Sequence, residues 1–308
     1  MQDSGTSSRR GREWPLEYLR ILAAVGIVWF HNSTAPLHWL GLSGLWVFLL
    51  ISFTLLSRTA PNQPMAAFAA VKARRVMVPW VFWSVAYLLF GLWQFHRHGT
   101  PFYERWMLLT GFSLHLWYLP YLFGSAITLH FARRSNAAFD RPAGVLFFVL
   151  VGLVLLAANG VWHPDTPPFA QWMTAVPVTL LGYAWGRIAL LPDTRSRRTA
   201  ATALAVCVVA MCIARLFMPG RHGQDGMTVL LGFAAFVAIG ALPLPSTAAV
   251  RLLSPLTLGI YLVHPLVMAV FAKMTGESGS LLRIIMVFAA SAVVVYGMKK
   301  IPFLRDVV

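Results

Sequence analysis

Acidic residues, and charged residues in general, are scarce in this sequence. Only 10 of its 308 residues are Asp or Glu, and charged residues of both signs make up 11%, whereas soluble globular domains contain about 25%. Hydrophobic residues make up 58%, and the mean hydropathy is +0.68. This composition excludes an ordinary soluble globule and predicts an all-α, polytopic bundle surrounded by membrane lipids.

Cysteine is nearly absent as well. Cys207 and Cys212 are the only two, and both lie in one apolar run. At this spacing they provide neither a disulfide framework nor a CxxC metal site, so we interpret them as packing residues. The sequence also contains no P-loop, HExxH or GxSxG motif. It therefore gives no indication of a P-loop nucleotide hydrolase, a zinc metalloprotease or a serine hydrolase.

Positive charge greatly exceeds negative charge. The 25 Lys and Arg residues give a formal net charge of +15. A nucleic-acid-binding protein clusters such residues on one exposed face, but here they lie in the gaps between apolar runs. Because this distribution is typical of membrane proteins with basic cytoplasmic loops, we expect no nucleic-acid partner.

Ten apolar stretches have the length of a membrane-spanning helix, about 17 to 25 residues. They cover residues 16–36, 39–57, 76–95, 114–132, 143–159, 171–191, 200–218, 227–243, 255–272 and 281–298. The sequence therefore predicts about ten transmembrane helices.

The gaps between these stretches alternate in basic content. Gaps at 58–75, 133–141 and 195–198, and the end of the chain from Lys299, are rich in Lys and Arg, and the opposite gaps are poorer. The positive-inside rule then predicts that both termini are cytoplasmic. We expect a disordered basic cytoplasmic leader at 1–14, a transmembrane domain at 15–300 and a cytoplasmic tail at 301–308.

The stretch EYLRILAAVGIVWFH places three ionisable residues in the first predicted span. Arg20 and His31 are eleven residues apart, about three helical turns and 16 Å of rise, so they share a face. Glu17 precedes Arg20 by three residues, a spacing that allows an ion pair. Ionisable groups inside a span are usually functional. The alternative is that His31 is only a hydrogen-bonded core residue.

The segment KARRVMVPW carries a basic cluster into the third predicted span, after MAAFAAVKARR, which can form a short helix. Lys72 and Arg75 share a helix face, and Arg74 lies beside them. Arginine and lysine are the side chains that recognise phosphate groups. The cluster therefore indicates a phosphate-bearing ligand or, alternatively, a cytoplasmic anchor that only orients the span.

Two aromatic motifs add further histidines. HLWYL contains His115 and Trp117, and YLVHP contains Tyr261 and His264. Each motif alone is more often structural, since Trp and Tyr are common at membrane interfaces. Together with His31 they supply three imidazoles that can converge from separate helices. Three histidines can bind zinc, but no carboxylate or cysteine accompanies them, and we predict no metal.

Four motifs follow one another along the chain: E-x-x-R with His31, KARRVMVPWVFWS, HLWYL and YLVHPLV. In these motifs and their order the chain resembles the membrane-bound acyltransferase family 3. That family includes O-acetyltransferases of lipopolysaccharide O-antigen, exopolysaccharides and other bacterial glycans. The resemblance implies a multi-pass protein of the bacterial inner membrane. It also implies cytoplasmic acyl-CoA, first of all acetyl-CoA, as a donor substrate, with no bound cofactor. The acceptor would be a hydroxyl of a glycan or lipid-linked saccharide.

By this resemblance, Arg20 and His31 match the essential pair of the family, and Lys72 and Arg75 match its paired basic positions beside the donor. There are departures from the pattern. Ser52 is followed by phenylalanine where the family often has Ser-Gly, and the first basic position is lysine instead of arginine. Some members append a hydrolase-like domain, and the sequence shows none, so we expect no second catalytic centre.

For acyl transfer, His31 can act as a general base or as a nucleophile that carries the acyl group, and both remain open. Arg20 would hold the thioester arm or polarise its carbonyl. Two other functions stay open at this point. Ten helices with buried histidines and an inner basic patch also suit a transporter or flippase of an anionic or lipid-linked substrate. The third alternative is a catalytically inert membrane partner of a glycan assembly system.

Overall fold

A computed structural model describes residues 13–99, 103–162, 164–217, 221–276 and 279–308. Within these ranges all the regular secondary structure is helical, and no strand occurs. The helices are α1 (Trp14–His31), α2 (Ser43–Ser57), α3 (Met65–Lys72), α4 (Val78–His98), α5 (Met107–Thr110), α6 (Tyr118–Ser135), α7 (Pro142–Val161), α8 (Phe169–Ile188), α9 (Thr194–Leu216), α10 (Arg221–Gly240), α11 (Ala248–Leu253), α12 (Thr257–Thr275) and α13 (Leu281–Lys300).

Each of the ten predicted spans overlaps one long helix of the described chain. By length and composition, six described helical segments are able to cross a membrane. They are His38–Ser57, Met65–His98, Pro142–Asn159, Thr194–Leu216, Ala248–Met274 and Leu281–Lys300. The prediction of a helical bundle with membrane-spanning helices is thus confirmed, whereas the number ten and the orientation stay predictions.

Several predicted boundaries are wrong. The first span was expected to reach residue 36, but α1 ends at His31, because Asn32 caps it by a bond from its N–H to the Trp29 carbonyl and a turn follows. His31 is therefore the last residue of its helix and not deep inside it. The eighth span was expected to begin at 227, but α10 begins at Arg221. The predicted short basic helix is confirmed as α3.

Helix α2 lies at the centre of the bundle, packed against α1, α8 and α10. Glycines permit the closest approaches. A Cβ atom on Gly44 would lie 2.3 Å from the Ala23 carbonyl oxygen of α1, and one on Gly186 of α8 would lie 2.4 Å from the Thr54 carbonyl oxygen. Small residues at helix contacts allow such packing in membrane bundles. These contacts hold α1 and its polar residues against a rigid core.

A partly buried polar network closes the end of the bundle at which α1 begins. Arg133 donates to both carboxylate oxygens of Asp140, at 2.8 and 3.2 Å, and Tyr183 donates to the same carboxylate at 3.0 Å. Arg187 donates to the Asp140 carbonyl oxygen at 2.6 Å. A bidentate Arg–carboxylate pair is geometrically specific, so this network fixes α6 and α8 relative to each other.

The predicted tail folds back onto the bundle at that same end. Trp83 of α4 donates to the Val307 carbonyl oxygen at 2.8 Å, and Arg74 forms a 2.7 Å ion pair with Asp306. The hydrogen bond from Arg74, together with its charge, lowers the pKa of the exposed Asp306 carboxyl. The last residues therefore pack against the beginning of α4.

Candidate active site

The Glu17–Arg20 pair forms as its spacing predicts. The Arg20 Nη1 atom donates to the two Glu17 carboxylate oxygens at 3.0 and 3.2 Å. Glu17 is buried and also accepts a hydrogen bond from the Ser254 hydroxyl, whereas the Arg20 side chain is 30% exposed. A buried carboxylate thus orients a guanidinium that remains accessible.

Arg20 opens onto a cavity of about 440 Å³, which we call the Arg20 cavity. Lys72 and Arg75 also line it, and so does Ser52 of α2. A single π-helical turn, Ala73–Met77, joins α3 to α4 directly after Lys72, and such turns are frequent at functional sites. The structure therefore brings four predicted site residues from three separate segments to one basic cavity.

Arg74 lies apart from this group. Its guanidinium is 75% exposed and pairs with Asp306, and the residue does not line the Arg20 cavity. Adjacent residues on a helix point in different directions, which explains why the predicted basic trio divides. Arg74 ties the end of the chain to the π-helical turn instead.

His130 of α6 lines the Arg20 cavity and was missed by sequence reasoning. The residue is buried, its Nε2 atom lies 3.0 Å from the Gln63 carbonyl oxygen, and its ring stacks on Phe68 with centroids 3.9 Å apart. Lys72 Nζ lies 5.5 Å from the centre of the same phenylalanine ring. A single histidine in an apolar helix gives no spacing signal that would have identified it.

The three predicted histidines meet at the other end of α1. The ring centroids of His31 and His264 are 4.9 Å apart, those of His115 and His264 are 5.7 Å apart, and those of His31 and His115 are 6.2 Å apart. They come from the end of α1, from α12, and from a 3₁₀ turn, Leu114–Trp117, that precedes α6. The structure thus places the three rings in mutual contact.

Two of these rings are held by the protein. His264 Nδ1 lies 2.8 Å from the Tyr261 carbonyl oxygen. A carbonyl only accepts, so Nδ1 carries the proton, and in the neutral ring Nε2 is an acceptor. That Nε2 atom is buried without a hydrogen-bond partner in the described chain. His115 Nδ1 lies 2.8 Å from the Ser113 hydroxyl, and the Tyr261 hydroxyl donates to the His115 carbonyl.

The ring of His31 has no hydrogen bond within the described ranges, and it borders two cavities. The Trp46 cavity, about 130 Å³, is lined by Trp46, Trp117 and Tyr261, with the polar side chains of Gln171 and Asp225. The Arg283 cavity, about 260 Å³, is lined by Asn32, Pro265, Met268 and Arg283. A reacting group can therefore approach His31 from either cavity.

Sequence reasoning missed the polar residues of both cavities. Asp225 was assigned to a gap, but it lies within the first turns of α10, and it interacts electrostatically with the buried Arg215 of α9. Trp46 donates from its indole nitrogen to Thr228 at 3.0 Å. These residues are isolated in sequence, and only the tertiary packing of α2, α9 and α10 brings them together.

The histidine cluster does not have the geometry of a metal site. Among the described residues, no three His, Cys, Asp or Glu side chains are arranged to hold a metal ion. Tyrosine, tryptophan and glutamine side chains line the Trp46 cavity beside His31, and Asp225 is its one carboxylate among the described residues. The arrangement instead offers an imidazole that can accept or carry a group delivered through a cavity.

The comparisons with known proteins fit this geometry. A family model described as an acyltransferase domain matches residues 15–299, which is nearly the whole chain. No curated protein and no solved structure matches. The matched range includes Arg20, the basic π-helical turn and all three clustered histidines.

Proposed function

The chain belongs to the membrane-bound acyltransferase family 3, and we propose from this premise that it transfers an acyl group, first of all acetyl, from acyl-CoA to a glycan hydroxyl. The glycan would be surface-exposed or exported, such as an O-antigen or exopolysaccharide. The observation that carries the proposal is that α1 presents Arg20 to a basic cavity and His31 to two others.

The Arg20 cavity suits the donor. CoA carries phosphate groups at one end of a long flexible arm and the thioester at the other. Lys72 and Arg75 supply cationic donors for the phosphates. Arg20 would then hold the arm, while the thioester carbonyl reacts at His31, about 16 Å further along α1, and Glu17 keeps the guanidinium in position through its buried carboxylate.

His31 suits the transfer step. As a general base it takes the proton of the acceptor hydroxyl while the oxygen attacks the thioester carbonyl carbon. The new C–O bond forms, the C–S bond breaks, and CoA leaves as a thiolate that is then protonated. Alternatively, a nitrogen of His31 first forms an acyl-imidazole and releases CoA, and the acceptor hydroxyl then takes the acyl group.

The charge distribution supports an orientation of the protein in the membrane. Arg58, Arg133 and Arg187 lie at the end of the bundle where α1 begins, and basic residues favour the cytoplasmic side. We therefore place the Arg20 cavity toward the cytoplasm of a bacterial cell, where acyl-CoA is found. The His31 end then faces the outer side of the inner membrane, where an exported glycan is accessible.

The decisive experiment supplies purified protein in lipid nanodiscs with acetyl-CoA labelled in the acetyl group, with and without membrane extract from the parent cells. The proposal expects CoA release and transfer of label to extracted glycan. A transporter or an inert assembly partner would release no CoA. The proposal is overturned if folded wild-type protein binds acetyl-CoA but neither releases CoA nor acquires label in the presence of that extract.

A further inference from the structure

Arg283 is a buried cation next to the candidate active site. The residue is 5% exposed, and Nη1 donates to the Gly276 carbonyl oxygen at 2.7 Å. Its Nε atom has no hydrogen-bond partner, and the guanidinium forms no ion pair with a carboxylate of the described chain. A buried charge is costly unless an opposite charge compensates it, so this position favours an anionic ligand.

Asn32 contributes a second donor to the same cavity. It directly follows His31 and is also 5% exposed. Its Oδ1 atom accepts from the Thr34 hydroxyl at 3.1 Å, which leaves the amide nitrogen Nδ2 to donate. That nitrogen has no hydrogen-bond partner within the described ranges. Arg283 and Asn32 both line the cavity that His31 borders.

The two cavities at His31 differ in charge. The Trp46 cavity contains the Asp225 carboxylate and mainly apolar walls, which disfavour an anion. The Arg283 cavity contains a guanidinium and no carboxylate from the described residues. A guanidinium can donate two parallel hydrogen bonds to two oxygens of a carboxylate or phosphate, so an anionic group is directed to one side of His31 only.

We propose that the Arg283 cavity binds a carboxylate or phosphate carried by the acceptor, and thereby presents a nearby acceptor hydroxyl to His31. This inference rests on the proposed function and deepens it, because it assigns the acceptor to the anionic saccharides. A uronic acid residue would supply the carboxylate, and a sugar phosphate would supply the phosphate. Arg283 and Asn32 are positioning residues in this account, and His31 performs the chemistry.

The test measures binding separately from turnover. Full-length protein in nanodiscs is titrated with methyl glucuronide, glucose 1-phosphate and the neutral methyl glucoside, and the dissociation constants are compared. We expect at least one anionic probe to bind about tenfold or more tightly than the neutral one, and the preferred probe identifies the carboxylate or phosphate source. Equal affinities for all three probes would overturn the proposal, whether or not acetyl-CoA is turned over.

Three variants locate the effect. Asn32→Asp is isosteric and keeps the acceptor for Thr34, but it adds a negative charge, so it should weaken the preferred anionic probe at least tenfold and leave the neutral probe unchanged. Arg283→Lys keeps a positive charge and a hydrogen-bond donor, and it should lose part of the preference for the anionic probe over the neutral probe. Lys273→Gln removes a positive charge from an exposed position outside the cavity and should change nothing. If Lys273→Gln and Asn32→Asp reduce binding equally, the preference reflects overall charge only.

Failure of this inference and failure of the proposed function give different results. If CoA is released with extracted glycan while the anionic probes bind no better than the neutral one, the acyltransferase function stands and the anionic acceptor is wrong. If the anionic probes bind through Arg283 but no CoA is released with any acceptor, the cavity is an anion site and the acyl-transfer function is wrong.

Discussion

His31 differs from the other two histidines of its cluster in what holds its ring. The rings of His115 and His264 are hydrogen-bonded to the protein, and His115 also lines the Trp46 cavity. The ring of His31 has no hydrogen bond within the described ranges and borders two cavities. We therefore expect His31→Ala to lower acyl transfer at least about a hundredfold, since a general base contributes on the order of 10²–10⁴. The His115→Ala and His264→Ala variants should keep partial turnover.

The measurement is the initial rate of label transfer, with insertion and thermal stability compared between variants. His38→Ala is a suitable control, because His38 begins a 3₁₀ helix, His38–Leu42, after α1, and among the described residues its ring bonds only to the Ala35 carbonyl. Turnover that survives in His31→Ala but disappears in a folded His264→Ala variant would move the catalytic role to His264.

Arg20 allows a second prediction at the residue scale. Arg20→Lys should recover little of the activity lost in Arg20→Ala, because one ammonium group cannot both pair with Glu17 and present the planar donors of a guanidinium. The measurement is kcat and the KM for the donor in both variants. The control is Arg58→Lys, which makes the same substitution in the neighbouring ion pair of Arg58 with Glu13. Wild-type activity in Arg20→Lys would show that charge alone is needed.

Some of these residue contacts were predictable from sequence. The Glu17–Arg20 pair and the common face of Lys72 and Arg75 follow from helical spacing, because their partners lie within one turn. Asn32 and Arg283 were not predictable, since 251 positions separate them and only the packing of α1 near α13 brings them to one cavity. A lone polar residue in an apolar helix does not indicate its partner.

At the scale of elements, the basic cluster around the π-helical turn between α3 and α4 has two roles. Lys72 and Arg75 line the Arg20 cavity, whereas Arg74 pairs with Asp306 near the end of the chain. Replacing Lys72 and Arg75 together by alanine should raise the donor KM about tenfold or more, because charge-assisted phosphate contacts are each worth roughly 1.5–3 kcal/mol. Arg74→Ala is the matched control, since it removes a neighbouring charge outside the cavity, and it should leave the donor KM unchanged.

A different result for these variants would favour the alternative interpretation. If the double variant binds acetyl-CoA normally but inserts with inverted orientation, the cluster is only a positive-inside anchor. Donor affinity is measured by titration in nanodiscs, and orientation is measured by protease accessibility in vesicles, so the two effects separate.

The contact of α8 with α2 gives a prediction about stability. A Cβ atom on Gly186 would lie 2.4 Å from the Thr54 carbonyl oxygen, which belongs to a rigid backbone. Gly186→Ala should therefore destabilise the bundle by about 1–3 kcal/mol, even though alanine favours helices. The control is Gly240→Ala, where a Cβ atom meets nothing within 4 Å. An unchanged melting temperature for Gly186→Ala in detergent would contradict this packing.

Helix existence was easier to predict than helix ends. Long apolar runs indicate helices because a membrane requires them, and each predicted run overlaps a helix. The end of α1 was misplaced because the apolar and small residues after Asn32 continue the composition of the span while their turn geometry ends it. This error matters for the site, since the end of α1 puts His31 beside both cavities.

At the scale of the whole molecule, the proposed donor cavity lies near the start of α1 and the proposed acceptor cavity lies at its end. We therefore predict that donor and acceptor enter from opposite sides of the membrane. The Arg20 cavity and the Arg283 cavity open at different ends of this helix. The amino-acid composition predicts a helical bundle, but it does not predict either cavity. Single cysteines test the arrangement. In a variant with Cys207 and Cys212 replaced by alanine, Ala60→Cys reports on the Arg20 cavity and Ser33→Cys on the Arg283 cavity, because both positions are exposed and line them.

A membrane-impermeant thiol reagent applied to spheroplasts of the parent cells should label Ser33→Cys, and it should label Ala60→Cys only after the membrane is permeabilised. Acetyl-CoA should then protect Ala60→Cys and leave the labelling of Ser33→Cys unchanged, because the donor's phosphates bind near Lys72 and Arg75. Labelling of both positions in intact spheroplasts would contradict the proposed orientation. Protection of Ser33→Cys alone would place the donor at the His31 end and reverse the roles of the two cavities.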